Sequence, residues 1–210
     1  MPYDRDIGSF DARAAGYEAG WKGRLHHDIA DRVVELALDL DLDRRPRRVL
    51  DVGCGTGYLL RRLTAELPDA EALTGVDPAP RMVDVAASRG SDPRLMVVAG
   101  TAEGLTLPDA SVDLALATTS FDHWADQAAG VRQVARILAP GGHFVLADLL
   151  SVWMLPTLAL GRRGRVRTAR SAAALLEANG LDVVRTTSIH VVITVMCARK
   201  RDGDATTRPR

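Results

Sequence analysis

Residues Val49 to Gly57 read Val-Leu-Asp-Val-Gly-Cys-Gly-Thr-Gly, and no other run limits the fold so tightly. Arg47 to Val52 is a short, β-branched apolar run of the kind that forms a buried parallel strand. Gly53, Gly55 and Gly57 then stand at alternate positions, where the backbone can turn tightly and approach a ligand with no Cβ in the way. Tyr58 to Leu67 continues with helical spacing. A strand, a glycine turn and a helix N-terminus in succession predict a row of free N–H groups facing a polar ligand.

The dinucleotide fingerprint Gly-x-Gly-x-x-Gly does not fit this turn. Counted from Gly53 its third glycine falls on Tyr58, and counted from Gly55 it falls on Leu60. Asp51 stands two residues before the first glycine. An acid there opposes a pyrophosphate and suits a cation or an ammonium group. Asp77 ends the next predicted strand, Glu71 to Val76, at a distance past the loop that suits a carboxylate accepting from ribose hydroxyls. An acid for a cationic amino-acid portion and an acid for a ribose, with no phosphate to hold, describe S-adenosylmethionine (SAM). An oxidoreductase binding NAD is the rival from another class, and the misplaced third glycine argues against it.

Around this unit strands and helices alternate. Strands are predicted at Arg47–Val52, Glu71–Val76, Leu95–Ala99, Val112–Ala117 and His143–Leu149, and helices at Tyr58–Leu67, Arg81–Ser88 and Asp126–Leu138. Ile29, Val33, Leu36, Ala37 and Leu40 make a helical stripe over Asp28–Leu40. Pro140-Gly-Gly142 reads as a stop and turn before the fifth strand. After an irregular stretch from Leu150 to Thr168 come a helix at Ala169–Asn179, closed by Gly180, and β-rich runs at Leu181–Ser188 and Val191–Arg199. This alternation predicts an α/β fold, a doubly wound parallel sheet with helices on both faces.

Charge excludes some partners. Twenty-seven basic residues balance 27 acidic ones, which leaves no electrostatic footprint for nucleic acid. The start has no basic, then apolar, leader pattern. The longest apolar stretch, Leu149–Leu160, is shorter than a membrane span and holds Pro156, so no integral membrane segment is expected. Two cysteines, Cys54 and Cys197, do not make a disulfide framework. Cytoplasmic residence is the expectation.

Five segments together resemble the class I SAM-dependent methyltransferases, in the small-molecule group that includes the quinone-biosynthesis C-methyltransferases. They are Val49–Gly57, then Gly75-Val-Asp-Pro-Ala-Pro-Arg-Met82, Ala99–Asp109, Ser111-Val-Asp-Leu114 and Val134–Phe144. They stand in the family's order across roughly Tyr3 to Lys200. The resemblance implies a Rossmann-like seven-stranded sheet ordered 3-2-1-4-5-7-6, with strand 7 antiparallel. It also implies a helical lid over residues 1–40 and a SAM-binding core over 41–201, while the polar stretch 202–210, with Pro near its end, is expected to be disordered. The implied reaction moves a methyl group from SAM to an O, N or C atom of a small, largely apolar acceptor, leaving S-adenosylhomocysteine. An aromatic, a quinone or a specialised metabolite would serve as acceptor, and a monomer or homodimer is expected. A protein that binds SAM without transferring methyl is the alternative. RNA methylation is disfavoured by the neutral charge and by the lack of an Asn/Asp-Pro-Pro-Tyr/Phe stretch after strand 4.

The resemblance assigns roles residue by residue. Gly53, Cys54 and Gly55 line the methionine portion, and Asp51 fixes its ammonium group or else caps the loop's own N–H groups. Asp77 accepts from the ribose. Pro78 and Met82 flank adenine, although Met82 equally fits plain helix core. Related chains often read Gly-Asp-Ala where this one has Gly100-Thr101-Ala102-Glu103. Thr101 can accept from the adenine amino group, but without the charge that makes such bonds about twice as strong, and Glu103 can cap the following turn. Thr118 opens the run Thr118–Trp124 at the carboxyl edge of strand 4. In that run His123 is the candidate base, since an unperturbed imidazole titrates near neutrality. Asp122 beside it is a second base or an aid to it, and a mere pocket-shaping loop is the bland reading. Tyr17, in the lid sequence Phe10–Tyr17, reaches the methionine end or packs. His26 and His27 invite a metal reading, but neighbours on a helix point about 100° apart and Asp31, four residues after His27, makes only one pair, so no metal is expected. Trp153, Met154, Leu155 and Leu158, followed by Arg162, Arg163, Arg165, Arg167 and Arg170, are where the acceptor would be read. The arginines there recognise an acidic group or lie on a solvated loop.

Overall fold

The computed structural model describes residues 2–40, 45–150 and 168–202. Residues 151–167 of the expected acceptor stretch, which runs to Arg170, and residues 203–210 of the expected tail therefore lie outside the described residues. Two helices, α1 (Pro2–Arg13) and α2 (Gly20–Leu38), precede the sheet, joined by a 3-10 turn at Ala14–Gly16. Then follow β1 (Arg48–Val52), α3 (Tyr58–Glu66), β2 (Ala72–Asp77), α4 (Pro80–Arg89), β3 (Leu95–Ala99), β4 (Val112–Thr118), α5 (Gln127–Ile137) and β5 (Leu138–Asp148). After the gap come α6 (Ala169–Ala178), β6 (Leu181–Ile189) and β7 (Ile193–Lys200). The strands form one sheet ordered β3-β2-β1-β4-β5-β7-β6. All neighbours are parallel except β7, which runs antiparallel to both β5 and β6. Fold and strand order match the expectation.

Alternate residues of the central strands feed two cores, as the two-residue period of a strand requires. Leu50, Ala115, Phe144 and Leu146 pack under α5 and α6. Val49, Leu114, Leu116 and Val145 pack with α2 and α3 on the other face. Burial on both faces explains why these strands read as continuous apolar runs. β5 starts earlier than expected, because Leu138 pairs with Val112 before the ladder resumes at His143 opposite Leu114. Pro140 and Gly141 sit in that irregularity, with Gly141 at φ 72°.

One helix boundary departs from the sequence reading. α2 begins at Gly20, eight residues before the expected Asp28. Its first turns turn Gly23, His26 and His27 towards a pocket and not towards the sheet, so the apolar period that reveals a helix is missing there. Among the described residues no helix is long and apolar enough to cross a membrane.

Candidate active site

β1 and β4 are neighbours, and their helices leave on opposite faces, so a crevice opens beyond their carboxyl ends. The polypeptide closes it tightly. Ser120 Oγ donates to the Val52 carbonyl at 2.7 Å, and its Cβ lies 2.4 Å from where a Cβ on Gly53 would stand. Thr119 turns the chain with φ 51°, a backbone region that β-branched residues rarely occupy and that gathers at functional sites. A pocket of about 1060 Å³, counting the space at its mouth, lies over these turns.

Tyr17, Asp51, Gly53, Cys54, Gly55, Asp77, Pro78, Met82, Thr101, Ala102, Glu103, Thr118 and His123 all line it. Asp122 does not; its backbone N–H donates to Asp148 Oδ2 at 3.2 Å. The sequence reading missed Glu18, His26, His27, Tyr58 and Ser120, which also line the pocket. His26 and His27 were visible only as a metal question, and Glu18 carried no local signal at all.

The glycine turn differs from the expected row of free donors. The N–H groups of Gly53 and Cys54 both reach the Val76 carbonyl, and that of Gly57 reaches the Cys54 carbonyl. The Gly55 N–H donates to Asp77 Oδ2 at 2.9 Å. Tight turning, and not anion binding, consumes these donors. Asp77 Oδ1 also accepts from the Ala79 N–H at 2.9 Å. Thus Asp77, and not Asp51, holds the loop's own N–H groups. Burial raises Asp77 above the usual carboxylate range, and the two N–H groups partly offset that rise.

Asp51 is 3% exposed, and no donor among the described residues reaches its carboxylate. Burial, with the charge of Asp77 added, pushes it up to about 7. A buried, undonated acid at a pocket wall is costly unless a ligand supplies the partner. Thr118 Oγ1 is likewise buried with no partner among the described residues. A Cβ on Gly55 would point into open space. An ammonium donor, a hydroxyl partner and a ligand against bare backbone would complete these groups, and SAM offers all three. Burial, then the charges of Asp51 and Asp77, push the Cys54 thiol well up, so it is an uncharged wall residue and no nucleophile.

The roof comes from the N-terminal segment. Ile7, Phe10 and Tyr17 pack beside the small cluster of Ala14, Ala79 and Met82. Glu18 fastens it. Its Oε1 accepts from Thr56 Oγ1 at 2.6 Å and from Arg61 at 2.9 Å, and Arg89 stands 2.7 Å away. Burial would raise Glu18, but bonds from Thr56 and Arg61 and the charges of Arg61 and Arg89 prevail and hold it low. His27 stacks on Tyr58 at 3.7 Å. Tyr17 Oη lies 3.4 Å from His26 Nδ1, and burial, then the electrostatics of His27, Arg13 and Lys22, lower His26 below the usual imidazole range. Glu103 Oε1 accepts from the Asp126 N–H at 2.9 Å, tying the wall to the residue that caps α5 and not to its own turn. Trp124 is 5% exposed and lies across Gly130, which makes it wall and core.

Comparison with known proteins agrees with this geometry. A family model described as a methyltransferase domain matches residues 50–146. An uncharacterized methyltransferase of Mycobacterium bovis is 44% identical over 110 residues, 52% of this chain and 43% of that protein. A demethylmenaquinone methyltransferase of Deinococcus radiodurans is 34% identical over 133 residues, 58% of this chain and 55% of that protein. The chain thus spans about half the length of these curated relatives. Among solved structures, a putative methyltransferase in complex with the Haloferax volcanii Trm112 methyltransferase activator superposes with a TM-score of 0.74. It has 21% identity and covers 91% of this chain and 97% of that one.

Proposed function

We propose that the chain is a class I SAM-dependent methyltransferase and that it methylates an O, N or C atom of a small, largely apolar acceptor such as a quinone-like or other aromatic compound. When bound, SAM supplies a methyl group on a positively charged sulfur, already activated for in-line displacement. The chain's own residues bind, orient and exclude water. Asp51 receives the ammonium group, with Gly53, Cys54 and Gly55 along the methionine portion. Asp77 keeps its two backbone bonds and accepts from the ribose with its remaining lone pairs. Pro78, Met82, Thr101 and Ala102 flank the adenine, and Tyr17 closes over the methionine end. His123 takes the proton that the acceptor loses.

The observation that carries this reading is the buried Asp51 carboxylate with no donor beside an open glycine backbone. The likeness to a demethylmenaquinone methyltransferase supports a quinone-like acceptor. Apolar side chains on the roof, Ile7 and Phe10, favour the same class. Incubation with methyl-labelled SAM and a panel of quinone-like, phenolic and amine acceptors is expected to place label in an apolar aromatic product. Label confined to charged, hydrophilic acceptors would overturn the acceptor class.

A further inference from the structure

His123 meets a carboxylate from the far end of the chain. Its Nδ1 lies 3.5 Å from Asp6 Oδ2. Phe10 sets its ring edge-on against the imidazole, with centroids 4.9 Å and planes 85° apart. Asp6 and Phe10 stand one helical turn apart on α1, so one face of that helix presents both. The charged groups around the imidazole are Asp6 from α1, Asp122 from its own turn and Asp148 from β5. Asp148 is buried and accepts from the N–H groups of Leu149 and Asp122, which anchors the turn that carries His123.

We infer that Asp6 is the positioning residue of the His123 base, delivered by α1 only when that helix is docked over the pocket. The inference rests on His123 being the base. An imidazole that donates Nδ1–H to a carboxylate keeps its lone pair on Nε2. The acceptor's proton would pass to that Nε2, and the electron pair it leaves on the acceptor atom would form the new bond to the methyl carbon as the bond from that carbon to the sulfonium sulfur breaks, its electron pair staying on sulfur as S-adenosylhomocysteine leaves. The resulting imidazolium is then held by Asp6, which stays ionised. Docking of α1 depends on contacts elsewhere: Asp11 Oδ1 accepts from the Arg81 N–H at 2.7 Å, and Phe10 packs beside Met82. The base is therefore assembled by the same movement that covers the site and shuts out water.

The test reads the tautomer of His123 from its imidazole ¹⁵N shifts, at a pH where the ring is neutral and with S-adenosylhomocysteine as the bound probe. Wild type is expected to show the Nδ1–H form. Asp6→Ala is expected to shift the majority to Nε2–H and to lower kcat about tenfold, a part of what a positioned base contributes, with cofactor affinity little changed. Asp6→Glu keeps a carboxylate on α1 and is expected to restore Nδ1–H, which separates charge from folding. Asp122→Asn is expected to leave the tautomer alone. A wild-type tautomer in Asp6→Ala, its loss in Asp122→Asn, or its loss in a folded Asp6→Glu protein overturns the assignment. The base itself is tested separately. A full methyl-transfer rate in His123→Gln removes the base reading. A lost rate there, with an unmoved tautomer in Asp6→Ala, keeps the base and removes Asp6.

Discussion

Asp51 and Asp77, at the carboxyl ends of the neighbouring strands β1 and β2, carry different loads. Asp51 is raised to about 7, first by burial and then by Asp77. For a raised carboxylate the sign is fixed: its contribution to the free protein's stability is intact below about pH 4 and is lost as pH climbs towards 7. An ammonium partner reverses that cost by favouring the ionised form. Cofactor affinity is therefore expected to rise by up to about tenfold per pH unit between roughly pH 5 and 7, with proton release on binding. Asp51→Asn is expected to flatten this slope and to weaken binding by about 10- to 100-fold, since a charged hydrogen bond is lost. Calorimetric titration with S-adenosylhomocysteine in buffers of different ionisation enthalpy reads both quantities. An unchanged slope in the variant would place the proton elsewhere. Asp77 is tied to the Gly55 and Ala79 N–H groups, so Asp77→Ala is expected to destabilise the ligand-free protein by about 1–3 kcal/mol as well as to impair binding. A thermal melt without ligand separates the two roles, because a residue serving only the ribose would leave that melt unmoved.

Elements explain which parts of the site were legible in the sequence. β1, its glycine turn and α3 are contiguous, so Asp51, Gly53 and Gly55 could be read from local spacing, and Asp77 from the end of the following strand. The roof could not. Glu18 meets Thr56, Arg61 and Arg89, and Asp6 meets His123. Those pairs are set by how α1 and α2 dock, and nothing local in the chain announces them. Asp122 looked like the partner of His123 because it is adjacent, yet its side chain is not in the pocket wall. Within the turn, Gly53 and Gly55 differ sharply. Both have positive φ, but a Cβ on Gly53 meets Ser120 at 2.4 Å, whereas one on Gly55 meets nothing. Gly55→Ala is expected to cost about 1–2 kcal/mol of folding stability from the left-handed backbone and to abolish cofactor binding. Gly53→Ala is expected to cost more, because it also displaces Ser120 from Val52; thermal melts of the two variants give the order. For the roof, Glu18→Gln keeps the shape and removes the charge. S-adenosylhomocysteine is expected to leave it roughly tenfold faster, in line with the loss of one charge-assisted bond. Stopped-flow fluorescence of Trp124 in the pocket wall measures that rate, and an unchanged value would assign closure to the apolar packing of Ala14 and Phe10.

Across the whole molecule the sheet divides labour. Among the described residues, the carboxyl ends of β1 to β4, the turns and helix starts that follow them, and the N-terminal segment line the pocket, while β5, β6 and β7 supply none of its lining. β5 and β7 instead carry much of the buried core, including Phe144, Leu146, Val195 and Met196. At the far edge, the β6–β7 hairpin ends in a strained tip. His190 and Val191 have φ of 50° and 65°, and Val191 is 94% exposed. Ligand binding should therefore be felt unequally. A ligand that binds only the native state at a hundred times its Kd adds about 2.7 kcal/mol to global stability. Core amides of β4 and β5, which open only with the whole fold, are expected to exchange about a hundredfold more slowly by that amount. Amides of residues 6–18 open locally, and they are expected to slow only because the ligand holds the roof shut. The hairpin tip opens locally and touches no ligand, so its exchange is expected to stay as it was. Hydrogen-exchange mass spectrometry with and without S-adenosylhomocysteine resolves the three groups. Equal protection at residues 6–18 and at 190–192 would mean that the roof is not part of the binding site. A roof left unprotected while the core slows would mean that the ligand binds with the lid open.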